Sequence, residues 1–356
     1  MSSVIGKLKP LAIDRFTRTR HSTVLLLPGI TFCVVVVLAA NYITDHYGSP
    51  AILCALLLGM AFNNIAKYPE FARGLEFCGK TVLRCGVALL GVRITFTQIS
   101  ELGIKPLLIV AAVVICTIAF SMLIAKLLKI ERIPAIIAGS GVAICGVSAA
   151  LAVASVMPNN KETEKHLLCT IVGITGLSTI VMVVYPGMMV SLGFDPEQIG
   201  IFLGASIHDV AQVFGAGHMV SDQVAELATY TKMLRVSMLV PVVLGLGFIF
   251  RKSLLASLQT SQEGQPVGSV ISPRPSLLPL FLVAFVILVV ISNLQIIPAS
   301  STAFMGDMSR LFLLIAMAAL GTKTNLIEMW QVGQKPFFLL LINTLFIGLL
   351  TYLLIL

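Results

Sequence analysis

The sequence predicts an all-α polytopic membrane protein with about eleven transmembrane helices, and three observations support this fold class. Hydrophobic residues make up 57% of the 356 positions and charged residues only 11%, whereas ordinary soluble domains have roughly 25% charged residues. Mean hydropathy is +0.99. Continuous apolar runs of about 20 residues recur along the chain, which is the length that a membrane-spanning helix needs. Barrel strands would instead show short alternating patterns.

The charged segments between the apolar runs predict the orientation of the spans. Residues 1–23 are basic and only weakly apolar, which indicates a cytoplasmic N-terminus. With the N-terminus inside, eleven spans place the C-terminus outside, and the excess of Lys and Arg in the predicted inner loops agrees with this orientation. Residues 251–275 are rich in Ser, Gln, Gly and Pro and predict a flexible cytoplasmic linker. The predicted spans are, in order, 24–43, 50–66, 78–96, 104–128, 133–157, 166–190, 197–218, 229–250, 276–295, 308–322 and 334–355.

Two pairs of segments resemble each other at nearly the same offset. LLGVRITFTQISELGIKPLL aligns without a gap with ALGTKTNLIEMWQVGQKPFF, so that Gly91 matches Gly321. PAILCALLLGMAFNN, from Pro50, aligns in the same way with PLFLVAFVILVVISN, from Pro279. The matches fall on Gly, Lys-Pro and basic positions rather than on Leu and Val alone, which favours a true internal repeat.

The spacing of the copies predicts their relative orientation. They are an odd number of spans apart, so one copy is inverted relative to the other, as is typical of secondary transporters. We therefore predict a first inverted repeat at 24–128, a central block with irregular helices at 129–225 and a second inverted repeat at 226–356.

The fifth predicted span contains three glycines within eight residues. Gly139, Gly141 and Gly146 interrupt it, and each glycine costs roughly 1 kcal/mol relative to alanine in a helix interior. A broken helix would present unpaired N–H groups to an anion at membrane depth. Close helix packing through the small residues of this span is the alternative. The candidate anion-binding residues are Ser140, Gly141, Cys145, Gly146 and Ser148.

The seventh predicted span, IGIFLGASIHDVAQVFGAGH, contains polar residues within an apolar run. On a continuous helix, Gly204, His208, Gln212 and Gly215 would share one face, and Asp209 would lie one step round. A carboxylate at membrane depth should pair, protonate or face water, and histidine titrates near neutral pH. We therefore predict that His208, Asp209 and Gln212 couple transport to a proton or cation. A polar cap at the end of a short span is the alternative.

Four basic residues near the spans form a third group of candidate site residues. Arg84 and Arg93 flank an apolar run, and Lys232 and Arg235 lie at the start of the eighth span. The forked guanidinium suits oxyanions, so Arg84, Arg93 and Arg235 are candidate substrate ligands, with Arg84 the strongest. Each could instead extend its charged end to the membrane surface.

Several of these stretches resemble one family. GSGVAICGVSAA, IGIFLGASIHDVAQVFGAGH, KMLRV and MAALGTKTN are together similar to the YeiH-type inner-membrane proteins, a family assigned to sulfate export. The similarity extends from the first to the last predicted span. It implies an inner-membrane secondary transporter of sulfate or a related sulfur oxyanion. It also implies an inverted-repeat architecture with crossed discontinuous helices, like that of bile-acid and sodium/proton transporters.

The predicted function is secondary active transport of a small inorganic or sulfur-containing anion across the bacterial inner membrane. A proton- or sodium-coupled cation exchanger is the alternative, although it would normally need more than one deep carboxylate, and Asp209 is the single acid placed at depth. An enzyme is disfavoured, because no nucleophile–base or metal motif occurs. A channel is disfavoured by the inverted repeats. We expect no cofactor, no metal and no nucleic-acid partner, and the substrate anion and membrane lipid as partners. A homo-oligomer is left open.

Overall fold

The computed structural model describes residues 26–157, 161–260, 280–324 and 334–356, and these parts of the chain are helical without any strand. Six of the helices are long and apolar enough to cross a membrane. The chain is thus an all-α, multi-pass membrane protein, and the count of eleven spans stays a prediction. The helices are Leu27–Tyr47, Ala51–Ala61, Pro69–Phe77, Leu83–Leu90, Phe96–Leu102, Lys105–Leu128, Arg132–Ala143, Val147–Ala154, Lys161–Ser191, Pro196–Ser206, Val210–His218, Asp222–Ser237, Leu239–Thr260, Leu280–Asn293, Ala299–Lys323 and Gln334–Ile355.

Several helix boundaries differ from the sequence prediction. The third span begins within a longer helical stretch that starts at Pro69 and passes through a π-helical turn at Cys78–Val82. The eighth span is preceded by helix from Asp222 onwards, and the helix Leu239–Thr260 extends into the predicted linker. The basic N-terminus and the rest of the linker lie outside the described residues.

The chain forms two compact units. The first contains the described residues up to Gly86 together with Arg310–Thr324. Its helices pack through glycines: a Cβ atom on Gly29 would lie 2.6 Å from the backbone nitrogen of Leu75, and one on Gly321 would lie 2.3 Å from the carbonyl oxygen of Leu56. Only residues without a Cβ allow backbones to approach this closely.

The second unit contains Val87–Ser309 and the described residues from 334 onwards. Two long helices, Lys161–Ser191 and Gln334–Ile355, pack against its central helices. A buried hydroxyl group from each long helix is hydrogen-bonded to a candidate site residue, Thr344 to His208 and Thr179 to Gln212, so this unit holds the candidate functional site.

Candidate functional site

The fifth predicted span is broken in its middle. One half, Arg132–Ala143, ends at Ile144, whose backbone (φ −114°, ψ −82°) leaves the helical region. The other half, Val147–Ala154, follows Gly146, which has φ +69° and ψ −130°. Glycine adopts this conformation readily, and a residue with a Cβ does not, so Gly146 is the sequence feature that permits the break. We call these two halves the first broken helix.

The seventh predicted span is broken as well. Its first half, Pro196–Ser206, ends at Ile207, which is extended at ψ 143°. Asp209 caps the second half, Val210–His218, because its carboxylate accepts a hydrogen bond from the backbone N–H of Ala211 at 2.9 Å. We call these two halves the second broken helix.

This second break corrects the continuous stripe predicted from the sequence. Gly204 belongs to the first half, whereas Gln212 and Gly215 belong to the second. His208 lies in the non-helical segment between them, so helical spacing does not apply across it.

The two breaks approach each other. A Cβ atom on Gly146 would lie 3.8 Å from the carbonyl oxygen of His208, which is ordinary van der Waals contact. We call residues 144–146 and 207–209 together the crossover. Two C-terminal helix ends, whose last carbonyl groups have no partner within the helix, and two N-terminal ends, whose first N–H groups have none within the helix, meet here. Backbone partial charges of both signs are thereby concentrated at the crossover.

Lys232 joins the two breaks. It lies on the helix Asp222–Ser237, which we call the basic helix, and its side chain has 0% exposure. The ammonium Nζ donates hydrogen bonds to the carbonyl oxygens of Ile144 and Ile207, each at 2.8 Å. One cation therefore bonds to one carbonyl from each broken helix.

Arg235, one turn further along the basic helix, is also fully buried. Its Nη1 donates to the carbonyl oxygens of Ala205 at 2.9 Å and Ile207 at 2.8 Å. Its Nε and Nη2 donate to those of Ala143 and Val142. The planar guanidinium thus ties the C-terminal ends of both half-helices together.

Glycines bring the basic helix close enough for these bonds. A Cβ atom on Gly204 would lie 2.4 Å from the carbonyl oxygen of Ala228, and one on Gly217 would lie 2.4 Å from the Cα of Ala225. Neither position could accept a larger residue without displacing backbone. Both halves of the second broken helix therefore pack directly against the backbone of the basic helix.

His208 is fully buried, and the long helix Gln334–Ile355 holds its ring. Its Nε2 lies 2.9 Å from Oγ1 of Thr344, and that oxygen also lies 2.8 Å from the carbonyl oxygen of Leu340. The hydroxyl has only one hydrogen, so it donates to one of these two groups, and the tautomer of His208 decides which. The other ring nitrogen, Nδ1, is buried.

Asp209 and Gln212 have separate partners. The backbone N–H of Asp209 donates to Ser178 Oγ at 3.3 Å, and the side-chain Nε2 of Gln212 donates to Thr179 Oγ1 at 2.8 Å. The side chain of Gln212 thus bonds to the long helix Lys161–Ser191. Its Oε1 is buried and has no partner among the residues that the structure describes.

Comparisons with known proteins assign the chain to a family. A family profile described as Conserved hypothetical protein 698 matches residues 28–340. A UPF0324 membrane protein of Chlorobaculum tepidum is 43% identical over 324 residues, which cover 91% of this chain and 87% of the relative. The chain belongs to the UPF0324 membrane protein family. This is the YeiH-type group, so the resemblance stated from the sequence is confirmed.

Other members of the UPF0324 family match over similar lengths. The UPF0324 membrane protein TauZ of Paracoccus denitrificans is 41% identical over 90% of this chain and 92% of its own. A UPF0324 membrane protein of Rhizobium meliloti is 38% identical over 95% of this chain and 96% of its own. No solved structure matches the chain at a significant level.

The glycine-rich residues predicted to bind substrate lie around the break of this UPF0324 protein. Ser140 and Gly141 are buried in the first half of the first broken helix, where a Cβ atom on Gly141 would meet Ile174 at 2.6 Å. Cys145 and Gly146 lie in the break, and Ser148, in the first turn of the second half, is exposed. The break and the close packing predicted as alternatives therefore occur together.

The basic candidates have different positions. Arg84 is exposed and belongs to the first unit. Arg93 belongs to the second unit and lies 3.8 Å from the carboxylate of Glu226 and 3.7 Å from that of Asp307. Arg235 lies at the crossover, but its hydrogen bonds go to backbone carbonyls rather than to open space.

Lys232 is the site residue that sequence reasoning did not include among the ligands. The signal that could have found it is the helix start at Ser221, whose side chain accepts a hydrogen bond from the backbone N–H of Val224 at 3.1 Å. Serine followed by an acidic residue is a helix N-terminus signature. The helix therefore runs for about ten residues before it reaches Lys232, a distance of roughly 15 Å at 1.5 Å per residue.

The charged groups of the crossover add up to a positive site. Lys232 and Arg235 contribute two positive charges, and the half-buried Asp209 contributes one negative charge. The two C-terminal and two N-terminal helix ends carry roughly half a charge each and cancel. The remaining charge is about +1. Among the described residues, no cluster of His, Cys, Asp or Glu could hold a metal ion.

Proposed function

We propose that this UPF0324 protein is a secondary active transporter that moves a small inorganic or sulfur-containing anion, such as sulfate, across the bacterial inner membrane. The observation that carries the proposal is the crossover of two broken helices around two buried cations. Broken helices that meet within a membrane domain are the usual construction of substrate sites in secondary transporters.

A duplicated contact supports the inverted-repeat part of this proposal. A Cβ atom on Gly91 would lie 2.5 Å from the carbonyl oxygen of Phe285, and one on Gly321 would lie 2.3 Å from that of Leu56. Gly91 matches Gly321 in the internal alignment, and Leu56 matches Phe285 at the offset that aligns Pro50 with Pro279. The same close contact thus occurs once in each unit. The first copy supplies the glycine in one contact and the second copy supplies it in the other, as inverted copies would.

The charge balance supports an anion as substrate. A site with about one net positive charge attracts anions. Within the described part of the chain, Asp209 is the one carboxylate at the crossover, which leaves the cation exchanger without the second acid it would normally need. We infer that the anion binds at the N-terminal end of Val147–Ala154. Backbone N–H groups there are not used within the helix, and the exposed Ser148 adds a hydroxyl donor.

Asp209 is the group that we propose for coupling, together with its neighbours His208 and Gln212. It is half-buried and belongs to the crossover, so it can exchange a proton while the anion site is occupied or empty. An anion moving against an inside-negative potential costs about 2.3 kcal/mol per charge per 100 mV. Import would therefore need a co-transported cation, whereas export could proceed with the potential.

Transport can be tested with purified protein in liposomes. We expect radiolabelled sulfate or sulfite to accumulate under an imposed pH gradient or membrane potential, and the flux to vanish in protein-free liposomes. Flux of sodium or another cation without anion flux would contradict the anion proposal and favour the cation exchanger.

Coupling can be tested with a matched pair of cap variants. Asp209 and Asp195 both cap a half of the second broken helix through a carboxylate–backbone hydrogen bond, and asparagine caps nearly as well as aspartate. We expect Asp209→Asn to remove the pH dependence of anion flux between about pH 5.5 and 8, a range that brackets histidine titration. Asp195→Asn should leave it unchanged. An unaltered pH profile in Asp209→Asn would exclude Asp209 as the coupling group.

A further inference from the structure

The position of the Lys232 ammonium is unusual for a lysine in a membrane protein. Lysine side chains near membranes normally extend toward water, whereas Lys232 is fully buried at the crossover. Its two hydrogen-bond acceptors, the carbonyl oxygens of Ile144 and Ile207, belong to different broken helices and lie at the same distance, 2.8 Å. The ammonium therefore bridges two chain segments, as a bound ion would.

The acceptors themselves have the character of a cation site. Both are backbone carbonyls just beyond the C-terminal end of a half-helix, where the partial charge is negative. In secondary transporters, unwound carbonyls and half-helix C-terminal ends of this kind coordinate the coupling sodium ion. Here a covalently attached cation from the basic helix occupies that position, and Arg235 supplies a second positive charge beside it.

We propose that Lys232 fills a small monovalent-cation site between the two broken helices, so that the crossover is held together without a dissociable alkali ion. The consequence for transport, which rests on the proposed function, is that anion flux does not require sodium and that a proton is the coupling ion. The site itself should become accessible to a free cation when the lysine side chain is shortened.

The central experiment removes the ammonium and offers free cations in its place. Lys232→Ala leaves the carbonyls of Ile144 and Ile207 without this donor and opens space beside them. Thermal unfolding in detergent is followed in choline chloride, sodium chloride and ammonium chloride at equal ionic strength. We expect the midpoint of Lys232→Ala to rise by several degrees, in a saturable manner, with ammonium or sodium, because a ligand that binds only the folded state stabilises it. Choline is too large to enter.

Two control variants separate ion binding from other effects. Lys232→Met also removes the charge but fills the space, so it should gain nothing from ammonium or sodium. Lys126→Ala removes an exposed lysine and should behave as the wild type, whose midpoint should be the same in all three salts. If Lys232→Ala is recovered folded only when purified in ammonium or sodium, the proposal is supported. Equal failure in all three salts, or a folded variant that responds to none, overturns it.

The wild type provides an independent test. Sodium-dependent stability or sodium-dependent sulfate flux in the unaltered protein would show that the ammonium does not fill the cation site, and would overturn the proposal. Absence of sulfate flux together with cation rescue of Lys232→Ala would refute the proposed function and leave the cation site intact. The two ideas can therefore fail separately.

Discussion

Replacement of Arg235 by methionine should destabilise the second unit strongly. The change keeps a long side chain but removes every N–H group that bonds to the crossover. The carbonyl oxygens of Val142, Ala143 and Ala205 then lose their Arg235 donor in a fully buried environment. Ile207 retains its bond to Lys232.

The expected magnitude follows from the three carbonyls. A buried polar group left without its partner costs about 1–3 kcal/mol, so the loss is about 3–9 kcal/mol. That is comparable to the whole stability of a typical protein, about 5–15 kcal/mol. At about 2 °C per kcal/mol for a unit of this size, the unfolding midpoint should fall by at least about 6 °C. The unfolding midpoint of Arg235→Lys should lie between those of the methionine variant and the wild type, because an ammonium has three N–H donors but lacks the planar fork of the guanidinium.

Thermal unfolding with a thiol-reactive fluorogenic dye can measure the loss in detergent. Cys145, at the crossover, and Cys169, in the long helix beside it, are buried and not disulfide-bonded, so in a background with the other five cysteines replaced by alanine the dye reacts when the second unit opens. The matched control is Arg84→Met, which removes an exposed arginine and should change stability by no more than about 0.5 kcal/mol. Unfolding of the Arg235 variant within about 2 °C of this control would refute the argument that Arg235 holds the two half-helices together.

Two further pairs of variants test the break and the histidine. Gly146→Ala should abolish anion flux and lower stability by more than Gly193→Ala, because both glycines have positive φ but only Gly146 lies at the crossover; equal effects in flux and thermal unfolding would contradict this. Thr344→Val should cost about 1–3 kcal/mol more than Thr351→Val. Both hydroxyls lie within hydrogen-bond distance of the carbonyl four residues earlier, and of the two only Thr344 is also hydrogen-bonded to His208. Equal midpoints for the two valine variants would show that the histidine contact carries no stability.

The first break could be predicted from sequence, and the second could not. Gly146 has a positive φ that glycine adopts without strain, so a glycine-rich span is a local signal for a break. The second break occurs at Ile207, His208 and Asp209, which contain no glycine or proline. Tertiary bonds from Lys232 and Ser178 hold it open, and a pattern within one helix does not contain them.

The positions of the basic residues show the same limit. The apolar run around each residue favours Arg84 over Arg235 as the deeper of the two. Burial depends instead on which face of a helix meets a neighbour, and the basic helix presents Lys232 and Arg235 to two breaks that the sequence does not bring together. Mean hydropathy of a segment does not encode that contact.

The ion pairs of Arg93 constrain how many helices cross the membrane. Arg93 lies 3.7 Å from Asp307, so an even number of crossings must separate these two residues. The six long apolar helices alone would place three crossings between them, namely Lys105–Leu128, Lys165–Ser191 and Asp222–Phe250. With those six alone, Arg93 and Asp307 would lie toward opposite sides of the membrane, so the ion pair favours a larger number of crossings.

A crossing by a shorter or broken helix would bring the two residues to the same side. The candidates between Arg93 and Asp307 are the two broken helices and Leu280–Asn293. If all three cross, six crossings separate the two residues, and four separate Arg93 from Glu226, which lies 3.8 Å from it. Both numbers are even, as the contacts require. A crossing by Leu280–Asn293 alone would also satisfy both contacts, but it would leave the broken helices outside the bilayer although three of their four halves are mostly buried and apolar. The arrangement in which both broken helices cross agrees with the ion pairs and with the burial of the crossover, and it is the one that the eleven-span prediction contains.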